Sequence, residues 1–412
     1  MGLNDTPRGE RLHIGIFGRR NAGKSSLINA LTGQNLAIVS DTPGTTTDPV
    51  YKAMELQGIG PVVFIDTAGF DDTGELGAMR AAKSRDILSR TDLAILVMDG
   101  TGLDWEREWI KRLHKADVPV ITVISKWDAL SDEQRSAAGR AAEEITDVTA
   151  KPIPVSARTG EGIEALRDAL RGTASEEYMQ NRIVGELAEK NDLVLLVMPQ
   201  DIQAPKGRLI LPQVQTIREL LDRKCTVICT GADSLKNALS ELSRAPDLIV
   251  TDSQCFGEVY EQKPPASRLT SFSILMAAAK GDIRVFADGV AAVDEAMAEG
   301  LQQELFNVLI AEACTHAPVN EDIGTVKIPR LLKRAFGDRV RITTVRGGDF
   351  PDMEGLKRFD LIIHCGACMF NRRLVMNRIA AAQDAGVPIT NYGIFLAKMA
   401  GILDRVTLPP VK

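Results

Sequence analysis

Eight residues near the start, Gly18-Arg-Arg-Asn-Ala-Gly23-Lys24-Ser25, have the spacing G-x-x-x-x-G-K-S. Glycines at both ends let the backbone wrap phosphate oxygens. The amides of Asn21, Ala22, Gly23, Lys24, Ser25 and Ser26 would face that negative charge at a helix start. Lys24 is expected to reach the β- and γ-phosphates, and the Ser25 hydroxyl to ligate magnesium. Four further pieces follow in order. Thr46, in Pro-Gly-Thr-Thr-Thr-Asp, is placed as a second magnesium ligand on a switch segment. Asp66-Thr-Ala-Gly69 closes an apolar run, so Asp66 can hold the ion through water while the Gly69 amide senses the γ-phosphate. Lys24, Thr46, Asp66 and Gly69 are thus the residues expected to carry hydrolysis. Ser125-Lys126-Trp-Asp128 and Ser156-Ala157 would line the base. Asp128 accepts hydrogen bonds from guanine N1 and N2, which adenine cannot offer, so adenine would leave a buried carboxylate unpaired.

A second set of reactive residues lies near the other end. Cys314-Thr-His316 is followed, 47 residues after that histidine, by His364-Cys365-Gly-Ala-Cys368. Structural zinc closes a tetrahedron with four cysteine or histidine ligands, and this set contains enough donors for one. A 4Fe-4S cube normally takes four thiolates. Three cysteines would fix three irons and leave one coordinated weakly or by an exchangeable group. The other three cysteines read differently. Cys225-Thr-Val-Ile-Cys229 has the apolar, β-branched look of a buried strand, and Cys255 likewise is expected to pack as a small apolar residue. Trp105 and Trp109, one helical turn apart, are expected to pack, and His13 and His114 to do no more than enter a strand and coat a helix.

The elements that must position these residues alternate. Runs HIGIFG, PVVFID, DLAILVMDG, VPVITVIS and KPIPVS read as strands separated by helical stretches. That alternation predicts an α/β fold, a doubly wound parallel sheet carrying the phosphate loop. Two further α/β domains are expected behind it. The predicted boundaries are 1–173 for nucleotide binding, a polar linker over Thr173–Glu177, then 178–264 and 265–412, with Pro264–Arg268 marking the second break. Strands are predicted near Leu193–Met198, Thr226–Thr230, Leu248–Thr251, Ile342–Val345 and Leu361–His364. Helices are predicted over Gln213–Asp222, Ser234–Ser243 and Leu374–Ala385.

Over 412 residues the formal net charge is −6, and no long Lys/Arg run offers a phosphate-backbone footprint. Nucleic acid is therefore not an expected partner. No apolar run approaches the ~18 residues of a membrane helix, and nothing before the first strand reads as a signal peptide. A cytoplasmic protein is expected.

The nucleotide motifs resemble the translation-factor-like GTPases, in the branch containing Era, Der and the tRNA-modifying GTPase MnmE. That family usually has Asn-Lys-x-Asp, and Ser125 stands here for the asparagine that braces base and phosphate loop. Weaker nucleotide binding with retained guanine choice is the expected result. Phe70 follows Gly69, where Ras-like enzymes place the water-orienting glutamine, so turnover should be slow. The resemblance implies that Asn21 helps bind a stimulating potassium ion. With the cysteine pattern behind it, the whole chain is similar to the FeFe-hydrogenase maturation GTPases of the HydF family. That resemblance implies a 4Fe-4S cluster on Cys314, Cys365 and Cys368, with His316 and His364 near the open iron. It also implies a dimerising middle domain and a scaffold role. The scaffold would receive a diiron precursor from two radical-SAM maturases, HydE and HydG, and deliver it to apo FeFe-hydrogenase. An RNA- or ribosome-associated GTPase with structural zinc is the alternative, and it would call for a basic module that the sequence lacks.

Overall fold

The computed structural model describes residues 8–33, 50–66, 87–100, 103–145, 151–178, 182–199, 209–298, 305–312 and 322–410. Thr46, Gly69, Phe70, Cys314 and His316 lie outside the described residues. The chain divides into two compact units, Met1–Gln180 and Asn181–Lys412.

The first unit is built on six strands: β1 (Leu12–Gly18), β2 (Val50–Leu56), β3 (Gly60–Asp66), β4 (Leu93–Met98), β5 (Val120–Ile124) and β6 (Ile153–Pro154). Their order is β2-β3-β1-β4-β5-β6. β1 and β4 are buried along their whole length, as expected of central strands covered on both faces. The sheet is mixed rather than purely parallel. β2 runs antiparallel to β3 as an edge hairpin, with Gly58 at φ 82° in the turn, where an L side chain would be strained. The chain leaves β1 for β3 on one side and β4 on the other, and the crevice beyond the strand ends at such a reversal is where ligands sit in open α/β sheets. The phosphate loop occupies that position.

The polar stretch Thr173–Glu177 is not a linker: it is the last part of helix Ile163–Tyr178.

The second unit contains two all-parallel four-stranded sheets. The first comprises β7 (Leu193–Val197), β8 (Thr226–Thr230), β9 (Leu248–Thr251) and β10 (Arg268–Ser271), in the order β10-β9-β7-β8. The boundary expected at 264/265 falls one strand early, because β10 pairs with β9 from Arg268 to Ser271. β8 is an edge strand, so Cys229 is exposed, and only Cys225 of the predicted buried strand is buried. The other sheet comprises β11 (Phe306–Glu312), β12 (Val340–Arg346), β13 (Leu361–His364) and β14 (Ile389–Asn391), ordered β12-β11-β13-β14. Helix Phe272–Lys280 is apolar on nearly all sides and accordingly buried. One continuous core runs from Leu195 and Ile249 through Val308 and Ile363 to Phe395 and Val406, so the two sheets share their interior. Among the described residues, no helix is long and apolar enough to cross a membrane.

Candidate functional site

The phosphate loop connects β1 to helix Lys24–Thr32. Its curvature depends on Gly18 at φ 158°, Asn21 at φ 61° and Gly23 at φ 92°. A Cβ at Gly18 would come within 2.6 Å of the Val97 carbonyl, so only glycine lets the loop leave the strand here. Lys24 is 8% exposed, and its ammonium donates to the carbonyls of Gly18 at 2.7 Å and Arg19 at 2.8 Å. The lysine thus lies across the loop mouth, satisfied by main-chain oxygens that a phosphate would replace. Ser25 Oγ donates to Asp66 Oδ2 at 3.1 Å, which brings together two of the three residues expected around magnesium, at the end of β3. Burial raises the Asp66 pKa, opposed by the Lys24 charge and the Ser25 hydrogen bond. An oxygen pair of this kind, one neutral and one carboxylate, suits a hard cation such as Mg2+.

Ser125 has taken over part of the work expected of asparagine. Buried at the end of β5, its hydroxyl lies 2.6 Å from the Ala22 carbonyl and 3.1 Å from that of Met98. It therefore ties the phosphate loop to β4. Replacing it with alanine removes the hydroxyl from the Ala22 carbonyl, while the Met98 carbonyl keeps the backbone amide of residue 125, and the N-terminal unit should lose about 1–3 kcal/mol, the range for an unsatisfied buried group. Thermal melting of Ser125→Ala checks this, and Ser125→Asn should tighten GTP binding by adding the brace to the base.

Lys126 adopts a left-handed conformation, φ 54°, which turns the chain so that Asp128 follows on a short helical turn. A hydrogen bond from the Ser156 hydroxyl, then one from Arg158, holds the Asp128 carboxyl below its usual range. Arg158 Nε donates to Asp128 Oδ2 at 2.7 Å, and Nη2 reaches the same oxygen. Ser156 is fully buried and its hydroxyl accepts from the Thr159 amide, fixing the loop that contains Ala157. These partners favour the ionised form of Asp128, with Oδ2 taken up by Arg158.

Two side chains of this site were not foreseen. Arg19 donates to Glu106 Oε2 at 2.9 Å, and Glu106 is fully buried on helix Asp104–Lys115. Burial raises the Glu106 pKa, opposed by a backbone hydrogen bond and by Arg19. The same helix places Trp109 against Phe17 of β1, ring centroids 4.9 Å apart, with Trp105 a further 5.4 Å away from Trp109. The tryptophans pack, as expected. The pattern Arg-x-…-Trp-Glu carries no local signal for an ion pair 87 residues apart, which only the fold creates.

In the second unit, β11 and β13 are neighbours, with Ala311 opposite His364. The sheet order reverses between them, so both strands end at one crevice. Beyond β13 the chain turns through Gly366 and Ala367, the latter left-handed at φ 50°. The Ala367 amide donates to Cys365 Sγ at 3.4 Å, the kind of N–H···S contact that supports a thiolate. Cys365 and Cys368 are not joined in a disulfide, and both are partly buried. Cys314 would follow β11 two residues after Glu312. These two described thiols, three residues apart on a turn with an amide aimed at sulfur, fit thiolate ligation of a metal cluster. Among the described residues, no group of three or more His, Cys, Asp or Glu side chains could hold a metal ion.

His364 does not fit the expected role of ligand. It is fully buried, Nδ1 lies 2.7 Å from the Cys365 carbonyl, and Nε2 lies 3.1 Å from Arg378 Nη1. Burial, then the Arg378 charge, lowers its pKa to about 3. Both ring nitrogens are engaged within the protein, leaving no lone pair for a metal.

Three family models match consecutive parts of the chain. Residues 13–126 match a 50S ribosome-binding GTPase, 183–281 a hydrogen maturase F dimerization domain, and 285–409 a hydrogen maturase F tetramerization domain. The tRNA modification GTPase MnmE of Nitrosomonas eutropha is 36% identical over 190 residues, 45% of this chain and 40% of that protein. GTPase Der of Wolinella succinogenes is 34% identical over 165 residues, 39% of this chain and 35% of that protein. The chain thus spans less than half the length of these curated relatives. Among solved structures, a probable GTP-binding protein engB aligns at 24% identity and a TM-score of 0.34, covering 40% of this chain and 99% of that one.

Proposed function

This chain belongs, by its domain architecture, to the hydrogen maturase F family, and from that premise we propose that it is a GTP-switched scaffold for a diiron precursor. The GTPase half follows from the pocket already described. Lys24 exchanges loop carbonyls for β- and γ-phosphate oxygens, Ser25 and Asp66 hold Mg2+, and Asp128 selects guanine. Self-association accords with the two matched domains.

In this proposal the second unit holds a 4Fe-4S cluster through Cys314, Cys365 and Cys368, and passes the diiron cargo from HydE and HydG to apo FeFe-hydrogenase. The cluster supplies an iron corner at which the cargo can dock. The observation that supports this half is the pairing of β11 with β13: β13 runs directly into Cys365, and the neighbouring β11 ends at Glu312, two residues before Cys314 in the sequence. Protein purified without oxygen should be brown, contain iron rather than zinc, and give the electron paramagnetic resonance signal of a reduced cube. Zinc in place of iron would overturn the scaffold reading. It would favour the RNA-associated alternative, which the MnmE likeness of the first unit supports.

Hydrolysis is slow in this proposal, because Phe70, which cannot orient water by hydrogen bonding, follows Gly69. Asn21, held left-handed at the loop mouth, would offer its side-chain oxygen to potassium. Turnover in potassium should exceed turnover in sodium, because a bound cation adds a charge-stabilising contact to the transition state. Equal rates in the two salts remove the potassium site.

A further inference from the structure

The tautomer of His364 can be assigned from its partners. A backbone carbonyl only accepts and a guanidinium only donates, so Nδ1 carries the proton toward Cys365 and Nε2 presents its lone pair to Arg378. Arg378 reaches this point from helix Arg372–Asp384 and is 4% exposed. Its guanidinium carbon sits 4.8 Å from the Phe350 ring centroid and 5.0 Å from that of Phe370. A planar cation between two aromatic rings is held in orientation as well as in place. Nη2 also donates to the Gly347 carbonyl at 2.5 Å, which fixes the group from a third side.

We infer that Arg378 is a positioning residue for the Cys365–Cys368 turn: it commits His364 to one tautomer, withholds the imidazole from any metal, and through it fixes the first peptide of the turn. The contacts form a relay. Phe350 and Phe370 orient Arg378, Arg378 occupies His364 Nε2, and His364 Nδ1–H pins the Cys365 carbonyl. Asn391 Nδ2 donates at 3.3 Å to the His364 carbonyl, so consecutive carbonyls at the strand end are held. With those peptides fixed, the Ala367 amide stays aimed at Cys365 Sγ. The inference rests on the cluster reading for its function. It means that His364 is not the fourth ligand and that the open iron corner remains available to an exchangeable group.

Histidine-selective 15N NMR on the cluster-free full chain reads the tautomer directly, with His364→Gln identifying the resonance among four histidines. The wild type should show a single Nδ1-protonated form, and Arg378→Met should lose that single form to a mixture. Arg378→Lys should restore it only partly, since an ammonium cannot lie flat between two rings. An Nε2-protonated His364 in the wild type would overturn the inference, and that measurement stands even if the Arg378 variants fail to fold. On reconstituted protein, pulsed electron paramagnetic resonance of wild type and His364→Ala should show the same nitrogen couplings. A coupling that disappears with His364 would make it a ligand and end the proposal. Failure to take up iron would sink the cluster reading alone, and the tautomer would still decide what Arg378 does.

Discussion

Lys24→Ala is expected to lower GTP hydrolysis by about a hundredfold to a thousandfold, the cost of removing one preorganised charge contact to the transition state. The geometry gives the reason. Lys24 is nearly buried, and its ammonium is held across the loop by two carbonyls. Alanine also leaves Gly18 and Arg19 carbonyls turned toward an empty mouth, so GTP affinity should fall with turnover. Phosphate release under saturating GTP measures the first effect, and titration with a fluorescent GTP analogue the second. Iron content should remain at the wild-type level, because Lys24 belongs to the first compact unit and the cysteines to the second. A variant with normal turnover would remove Lys24 from the reaction.

The second large effect is expected from Cys365→Ala combined with Cys368→Ala. Removing two of three proposed thiolates should reduce bound iron to background after anaerobic reconstitution and abolish activation of apo-hydrogenase. GTP turnover should stay within about twofold of wild type, the usual scatter for substitutions remote from a site. Both side chains are small and only partly buried, so loss of fold is not the expected route to failure. Retained iron at wild-type stoichiometry would refute the assignment of these sulfurs.

Much of this was legible in the residues, and the reason is locality. The phosphate loop, its flanking strand and its helix occupy one stretch of chain, so spacing alone announces them. β4 and β7 are continuous apolar runs buried on both faces, and they read as such. The elements that escaped reading are β2, β10, β11 and β14. β10 is Arg-Leu-Thr-Ser and β14 only Ile-Thr-Asn, too short and too polar for periodicity to speak. β2 is an edge strand whose identity comes from its pairing with β3. β11, Phe-Asn-Val-Leu-Ile-Ala-Glu, carried an apolar run that deserved a strand, and it proves to be the one leading to Cys314. Cys229 misled because a strand at the edge of a sheet looks, in sequence, like one at its centre. His364 misled for a deeper reason. A histidine beside a cysteine pair looks like a ligand until the fold brings in Arg378 from 14 residues away.

The core that the two C-terminal sheets share has a mechanical corollary. Strands that share an interior cannot swing past one another without exposing it, and close-packed interiors resist gradual deformation. Residues 181–412 should therefore melt in one concerted step, with matching calorimetric and van 't Hoff enthalpies. Release of a passenger from the cysteine turn would then depend on rearrangement at the rim, with the body beneath acting as an unyielding anvil.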